Sequence, residues 1–227
     1  MTYKFDFSAL FPFWREFARG VWLTVQLSAV STVLGFVLGT LCAIGRVDGS
    51  RWVKGLVTVY VEMIRNTPLL VQIFIVYFGI ATLGVRVSAN SAAVIALVIN
   101  VGAYTSEIMR AGLESIHKAQ LEAADCLGLS RVQTYWHIIL RPAVERVYPT
   151  LSSQYVLLML VSSITSQISA EELTAVANRI QSDTFRSFET YIVVGILYLL
   201  LSFVVRLGFW LFGMVVFVRR RKLGTAL

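Results

Sequence analysis

The chain has 227 residues, 57% of them hydrophobic and only 15% charged, with a formal net charge of +7 and a mean hydropathy of +0.73. A soluble domain carries about 25% charged residues, so this composition defines a membrane protein. Apolar segments of about 20 residues or more leave no room for a separate soluble catalytic domain. The two cysteines, Cys42 in an apolar segment and Cys126 in a polar loop, match neither a disulfide framework nor metal-ligand spacing.

In chain order, residues 1–20 read as an interfacial lead-in, with Phe13, Trp14 and Phe17 suited to a headgroup boundary. Their mixed charges lack the positive-then-apolar order of a cleavable signal. The first predicted span, 21–44, is uncharged and carries Gly35 and Gly39 in a small-xxx-small arrangement that lets helices approach closely. A short basic loop follows. The second segment, about 53–83, is too long for one simple crossing and contains Glu62, Arg65, Asn66, Pro68 and Gln72. Pro68 lacks a backbone donor and disfavours helical geometry at Thr67, so a break is expected there. Glu62 and Arg65, three apart, have the spacing of an ion pair on one helical face; a place near a transport path is the equal alternative.

The third predicted span, 89–112, puts Asn100, Tyr104 and Glu107 on one face with Ala96. An aqueous cavity or interhelical hydrogen bonds would both explain that face, and Glu107 and Arg110 mark its approach to the surface. A polar hairpin, 113–142, comes next, with helix-forming residues 121–127 expected to stop at Gly128. The fourth predicted span, 147–168, is polar in its second half, where Gln154, Ser162 and Ser163 are candidate cargo contacts. Hydroxyls there also have the option of bonding back to their own helix. After a polar excursion with a helix over 171–180, the last span covers 190–218 and is interrupted by Arg206, and a basic tail, 219–227, ends the chain.

With five spans, placing the amino terminus outside assigns twelve Lys and Arg residues to the cytoplasmic side and six to the external side. The positive-inside rule therefore favours an external amino terminus and a cytoplasmic hairpin. The same asymmetry accounts for the basic charge without nucleic-acid binding. No phosphate-binding G-x-x-x-x-G-K-[ST] motif is present. His117 and His137 form no H-E-x-x-H pair, and an enzyme reading finds no convergent acid, base or metal set.

Several ordered motifs carry a resemblance. Glu122-Ala123-Ala124 is followed by Gly128 and then Ile138-Ile139-Leu140. Upstream stand Arg65-Asn66-Thr67-Pro68-Leu69-Leu70-Val71-Gln72 and Asn100-Val101-Gly102-Ala103-Tyr104, with Arg110-Ala111-Gly112 after them. In order and spacing these resemble the permease subunits of bacterial ATP-binding-cassette importers of polar amino acids. The resemblance implies an all-α type I importer fold in the cytoplasmic (inner) membrane and a non-catalytic subunit. It implies no cofactor in this chain, ATP and magnesium being held by two copies of a partner ATPase. A second permease, the same chain or a homologue, and an extracytoplasmic amino-acid-binding protein complete the implied assembly. Glu122, Ala123, Ala124 and Gly128 would couple to the ATPase. Glu62, Arg65, Asn66, Gln72, Asn100, Tyr104, Gln154, Ser162 and Ser163 would lie along the cargo path. The chain departs from the family where Leu140-Arg141-Pro142 replaces Leu-Pro, a shift expected to keep a turn with a new exit angle. Leu160-Val161-Ser162-Ser163 also lacks the family's usual charge, which argues against a cationic cargo. The rival class is an ATP-independent carrier or channel using Glu62, Arg65, Asn100 and Glu107 for ion coupling.

Overall fold

In the computed structural model, which describes residues 4–217, every regular element of the described residues is helical. A 3-10 turn, Ser8–Phe13, feeds directly into α1, Trp14–Asp48, so the expected lead-in and first span form one rod. The uncharged stretch of α1 packs along α4, Ala89–Glu114, in the same direction. Gly35 meets Val101 and Gly39 meets Thr105, four residues on in both helices. A Cβ added at Gly39 would stand 2.6 Å from Thr105 Cβ and 2.7 Å from the Gly102 carbonyl, and one at Gly35 would collide with Val101. The glycine pair therefore packs, as its spacing suggests.

Between them, α2, Arg51–Arg65, begins at Ser50, whose hydroxyl accepts from the Val53 amide. It stops at Asn66-Thr67-Pro68, and α3, Leu69–Thr82, leaves at an angle of 110°. The expected break is thus a sharp corner. Four helical rods are long and apolar enough to cross a membrane, and α2 with α3 makes a fifth only as this bent pair.

After α4 comes α5, Lys118–Cys126, a short helix at the end of the bundle. Ser130 and Gln133 then form a reciprocal capping box on α6, Arg131–Gln133. A π-helical stretch, Thr134–Leu140, leads into α7, Arg141–Val161, and a 3-10 stretch, Ser162–Ile168, continues it. These pieces make one rod of 38 residues, Arg131–Ile168. The expected turn at Leu140-Arg141-Pro142 is absent. Pro142 lies inside this rod, and the wide π turn just before it accommodates the missing N–H. The fourth span accordingly starts some 16 residues earlier than the expected 147.

The last elements are α8, Leu173–Thr184, and α9, Ser187–Val216. Val218 and the basic tail fall outside the described residues. α8 is tied to two spans, to α9 by a buried carboxylate and to α1 by a backbone amide. Glu172 caps it, accepting from the Ala175 amide at 2.9 Å and the Thr174 amide at 3.0 Å. Tyr198 of α9 donates to the same carboxylate at 2.6 Å, and the Leu173 amide donates to Thr24 of α1 at 3.2 Å. Gly20 makes room, since its Cβ would stand 2.9 Å from Leu173 Cα. Burial raises the Glu172 carboxyl above its ordinary value, against the opposing pull of these donors.

Two outcomes follow from this packing. Gly39→Ala lowers thermal stability of the purified protein by about 1–3 kcal/mol, whereas Gly55→Ala, with open space around it, is neutral or gains about 0.5–1 kcal/mol. For Glu172, a raised folded pKa gives stability that is fully present below the ordinary value of 4.5 and lost as pH rises through the folded value. Glu172→Gln flattens that slope in a pH series of melting temperatures; an unchanged slope removes Glu172 as its source.

Candidate functional site

The corner between α2 and α3 leaves helix-end groups open, and Gln72 meets them. Its Nε2 donates to the Ile64 carbonyl at 2.8 Å, the Thr67 carbonyl at 3.0 Å and Thr67 Oγ1 at 2.9 Å. Its Oε1 accepts from Asn100 Nδ2 of α4 at 2.9 Å. Both amides are buried, at 6% and 9% exposure. Buried amides bonded to one another hold their neighbours in one arrangement, so Gln72 and Asn100 pin the corner against the middle of α4. Asn100 thus makes an interhelical hydrogen bond.

Two turns further along α4, at Glu107, the polar face becomes ionic. Glu107 gathers Arg46 from the end of α1 through a direct bond, Arg110 at 3.0 Å and Arg65 from the end of α2 at 3.9 Å. Arg110 also reaches Glu114 at 2.7 Å. The Arg65 guanidinium stands 5.6 Å from the Tyr104 ring, within cation–π range. Glu107 therefore joins α1, α2 and α4 at one point. The sequence places Glu107 on the polar face with Asn100 and Tyr104 and at the approach to the surface, but carries no signal for its arginine partners on α1 and α2.

The expected Glu62–Arg65 pair is not formed. Arg65 turns to Glu107, and Glu62 accepts from Asn66 Nδ2 at 3.1 Å while staying exposed. Among the candidate path residues, the corner thus brings together Arg65, Gln72, Asn100 and Tyr104, with Glu62 and Asn66 at its edge. Gln154, Ser162 and Ser163 stand apart on the α7 rod, with no hydrogen bond among the described residues to that group. Ser162 is buried and donates to the Met159 carbonyl at 2.7 Å, so its hydroxyl bonds back to its own helix.

The coupling candidates stand at the bundle's end. Leu129 N–H donates to the Ala124 carbonyl at 3.1 Å and Gly128 N–H to the Asp125 carbonyl at 3.0 Å. Gly128 has φ +69°. This is a Schellman stop, which glycine adopts without a Cβ penalty. Ala124 faces inward, whereas Glu122, Ala123 and Leu127 are exposed, Leu127 at 77%. Arg146 of α7 donates to the Ser115 carbonyl at 2.6 Å, holding the base of the loop between α4 and α7.

A bundle with four helical rods long and apolar enough to cross a membrane, a sharply bent helix pair and an outward-facing capped helix at its end has the architecture of a multi-pass membrane protein. The chain belongs to the family described as "Binding-protein-dependent transport system inner membrane component", which matches residues 35–213. It is 35% identical over 201 residues to the probable glutamine ABC transporter permease protein GlnM of Bacillus subtilis (strain 168), covering 88% of this chain and 93% of that one. It is 34% identical over 221 residues to the octopine transport system permease protein OccM of Rhizobium radiobacter, covering 92% and 90%. Among solved structures, "Crystal structure of an amino acid ABC transporter with histidines" is similar at TM-score 0.83 and 31% identity, covering 93% of this chain and 99% of that one. An inward-facing MetNI methionine ABC transporter chain, at TM-score 0.75 and 18% identity over 90% and 98%, shares the fold. The chain is a multi-pass inner-membrane protein of the type I importer permease fold.

Gln72→Leu removes the donor from two carbonyls and strands Asn100. It lowers stability by about 1–3 kcal/mol, read from thermal unfolding in detergent. Because the two amides share one network, adding Asn100→Leu costs less than the sum of the single changes.

Proposed function

We propose that this chain is the permease subunit of an ATP-driven importer that moves polar amino acids across the bacterial cytoplasmic membrane by alternating access. The observation that carries the reading is α5, a helix with a glycine stop whose Glu122, Ala123 and Leu127 face outward at the point where α4 and α7 meet. A surface of that kind suits docking of a partner ATPase. The names of the relatives, carriers of glutamine and octopine, support an amino-acid cargo. The Lys and Arg balance favours α5 in the cytoplasm and the amino terminus outside.

Two permeases, this chain with a copy or a homologue, would enclose the path, with two ATPases below and a soluble amino-acid-binding protein delivering cargo from outside. ATP and magnesium belong to the ATPases. Cargo would pass the α2–α3 corner, where Glu62, Arg65, Asn66, Gln72, Asn100 and Tyr104 gather near mid-depth. Broken helices at that depth are where transporters expose backbone and side-chain polarity. Gln154, Ser162 and Ser163 would line the opposite wall. ATP binding draws the two α5 helices together and opens the path outward; hydrolysis resets it. A swing from 1:99 to 99:1 takes about 5.5 kcal/mol of differential binding, so the α5 contact must differ strongly between the states.

Gly128→Pro forbids the φ of the stop, and Glu122→Lys reverses the charge of the docking face. Each lowers ATP-dependent uptake in proteoliposomes by about fivefold or more while membrane insertion persists. Undiminished uptake in both variants rejects α5 as the coupling element. Uptake that follows an ion gradient without ATP rejects the importer.

A further inference from the structure

A cleft of about 520 Å³ runs between α1 and the start of the rod that holds α7, apart from the corner, the ionic cluster and α5. α1 gives it one face, Phe36, Val37, Leu41 and Ile44, spaced to share one side of a helix. The rod gives Tyr135 and Trp136 from the π stretch, and Arg131 as its first residue. π turns are rare and stand frequently at functional sites. Apolar atoms line the cleft almost throughout, so Arg131 contributes its methylene stem and holds its guanidinium beyond the wall, as long cations do beside apolar surface. Thr40 also borders the cleft but adds no polarity, because its Oγ1 is buried.

The depth of the cleft follows from the glycine seam. Gly35 meets Val101 and Gly39 meets Thr105, so residues 36–44 stand level with 102–110, the half of α4 that leads to α5. Eight helical steps rise about 12 Å, close to the roughly 15 Å of hydrocarbon in one leaflet. The cleft is therefore about as deep as one acyl chain and lies in the leaflet next to α5. Its rod wall ends where headgroups begin. Trp136, 66% exposed, suits that boundary, and Arg131 lies five residues closer to α5.

Charge selects the occupant. The ion pairs of the described residues engage Arg19, Arg46, Arg65, Arg110, Arg179 and Arg186. Arg131 is exposed and takes part in none of them. An unpaired cation at the mouth of an apolar cleft one leaflet deep matches a phosphate ester that carries an acyl chain. Basic residues at a membrane surface attract lipids of net negative charge, whereas a zwitterionic headgroup brings its own cation and answers Arg131 less.

We propose that this cleft binds an anionic phospholipid of the leaflet next to α5, with an acyl chain along Phe36, Leu41 and Trp136 and the phosphate at Arg131. The lipid bridges α1 to the rod at the root of the loop that carries α5.

The test uses the purified transport complex in phosphatidylcholine liposomes doped with phosphatidylglycerol or phosphatidylcholine bearing a photoreactive diazirine at mid-chain. After illumination, peptide mapping finds phosphatidylglycerol on residues 36–44 and 132–140 about fivefold above phosphatidylcholine. Arg131→Gln levels the two lipids, and Val37→Trp, which fills the cleft, removes the preference as well. Equal labelling in the wild type overturns the site. A preference that survives either substitution belongs to the basic surface at large and also overturns it. If inorganic phosphate abolishes the preference where chloride at equal ionic strength does not, Arg131 serves a free anion and the lipid is rejected. Label from neither lipid on the two segments means that a protein partner covers the cleft, which rejects the proposal too.

Discussion

Hydrocarbon offers no partner to an open backbone group, and the corner at residues 66–68 is where this fold confronts that rule. Pro68 forces the helix to stop, and the carbonyls of Ile64 and Thr67 lose their helical donors. One side-chain amide, Gln72, restores two of those bonds and spends its own oxygen on Asn100. The corner is thereby both permitted and fixed in place. Without such a donor the 110° bend would leave the Thr67 carbonyl bare at its apex and the Ile64 carbonyl with only the long bond from Thr67 Oγ1.

The ionic cluster stands two turns along α4 and follows the same logic with charge instead of backbone. A carboxylate at partial burial is tolerable only with cations close by, and Glu107 draws three guanidinium groups from three helices. Each arginine alone would be awkward at that depth; together they make the ends of α1 and α2 converge on α4. The corner and the cluster share α4 as their common wall. That helix then runs directly into the loop that carries α5, so the polar centre and the exposed helix hang on one rod.

The sequence was legible where a single residue type has one strong consequence. Pro68 announced the corner, Gly128 the end of α5, and Gly35 with Gly39 the close helix contact. Uncharged stretches announced the rods. What it hid were choices between partners. Arg65 lies three residues from Glu62 and 42 from Glu107, and local spacing favours the former; tertiary packing brings the latter. Gln72 and Asn100 were visible as polar residues in apolar segments, but their engagement with each other depends on the angle at the corner. The turn expected near Pro142 failed for a local reason: the π turn before it lets the rod continue through the proline, a geometry that pattern reading does not anticipate.

The glycine seam between α1 and α4 limits how this molecule can deform. Gly35 and Gly39 each accept a bulky neighbour into a notch, so the two rods interlock like a ratchet tooth and its stop. Sliding one rod by a residue would rotate the notches by about 100° and set side chain against backbone. The pair therefore moves as one beam. Whatever shape change the subunit undergoes must bend where no such teeth engage: the joint at Gly49 and Ser50, the corner at 66–68, and the short link between α4 and α5.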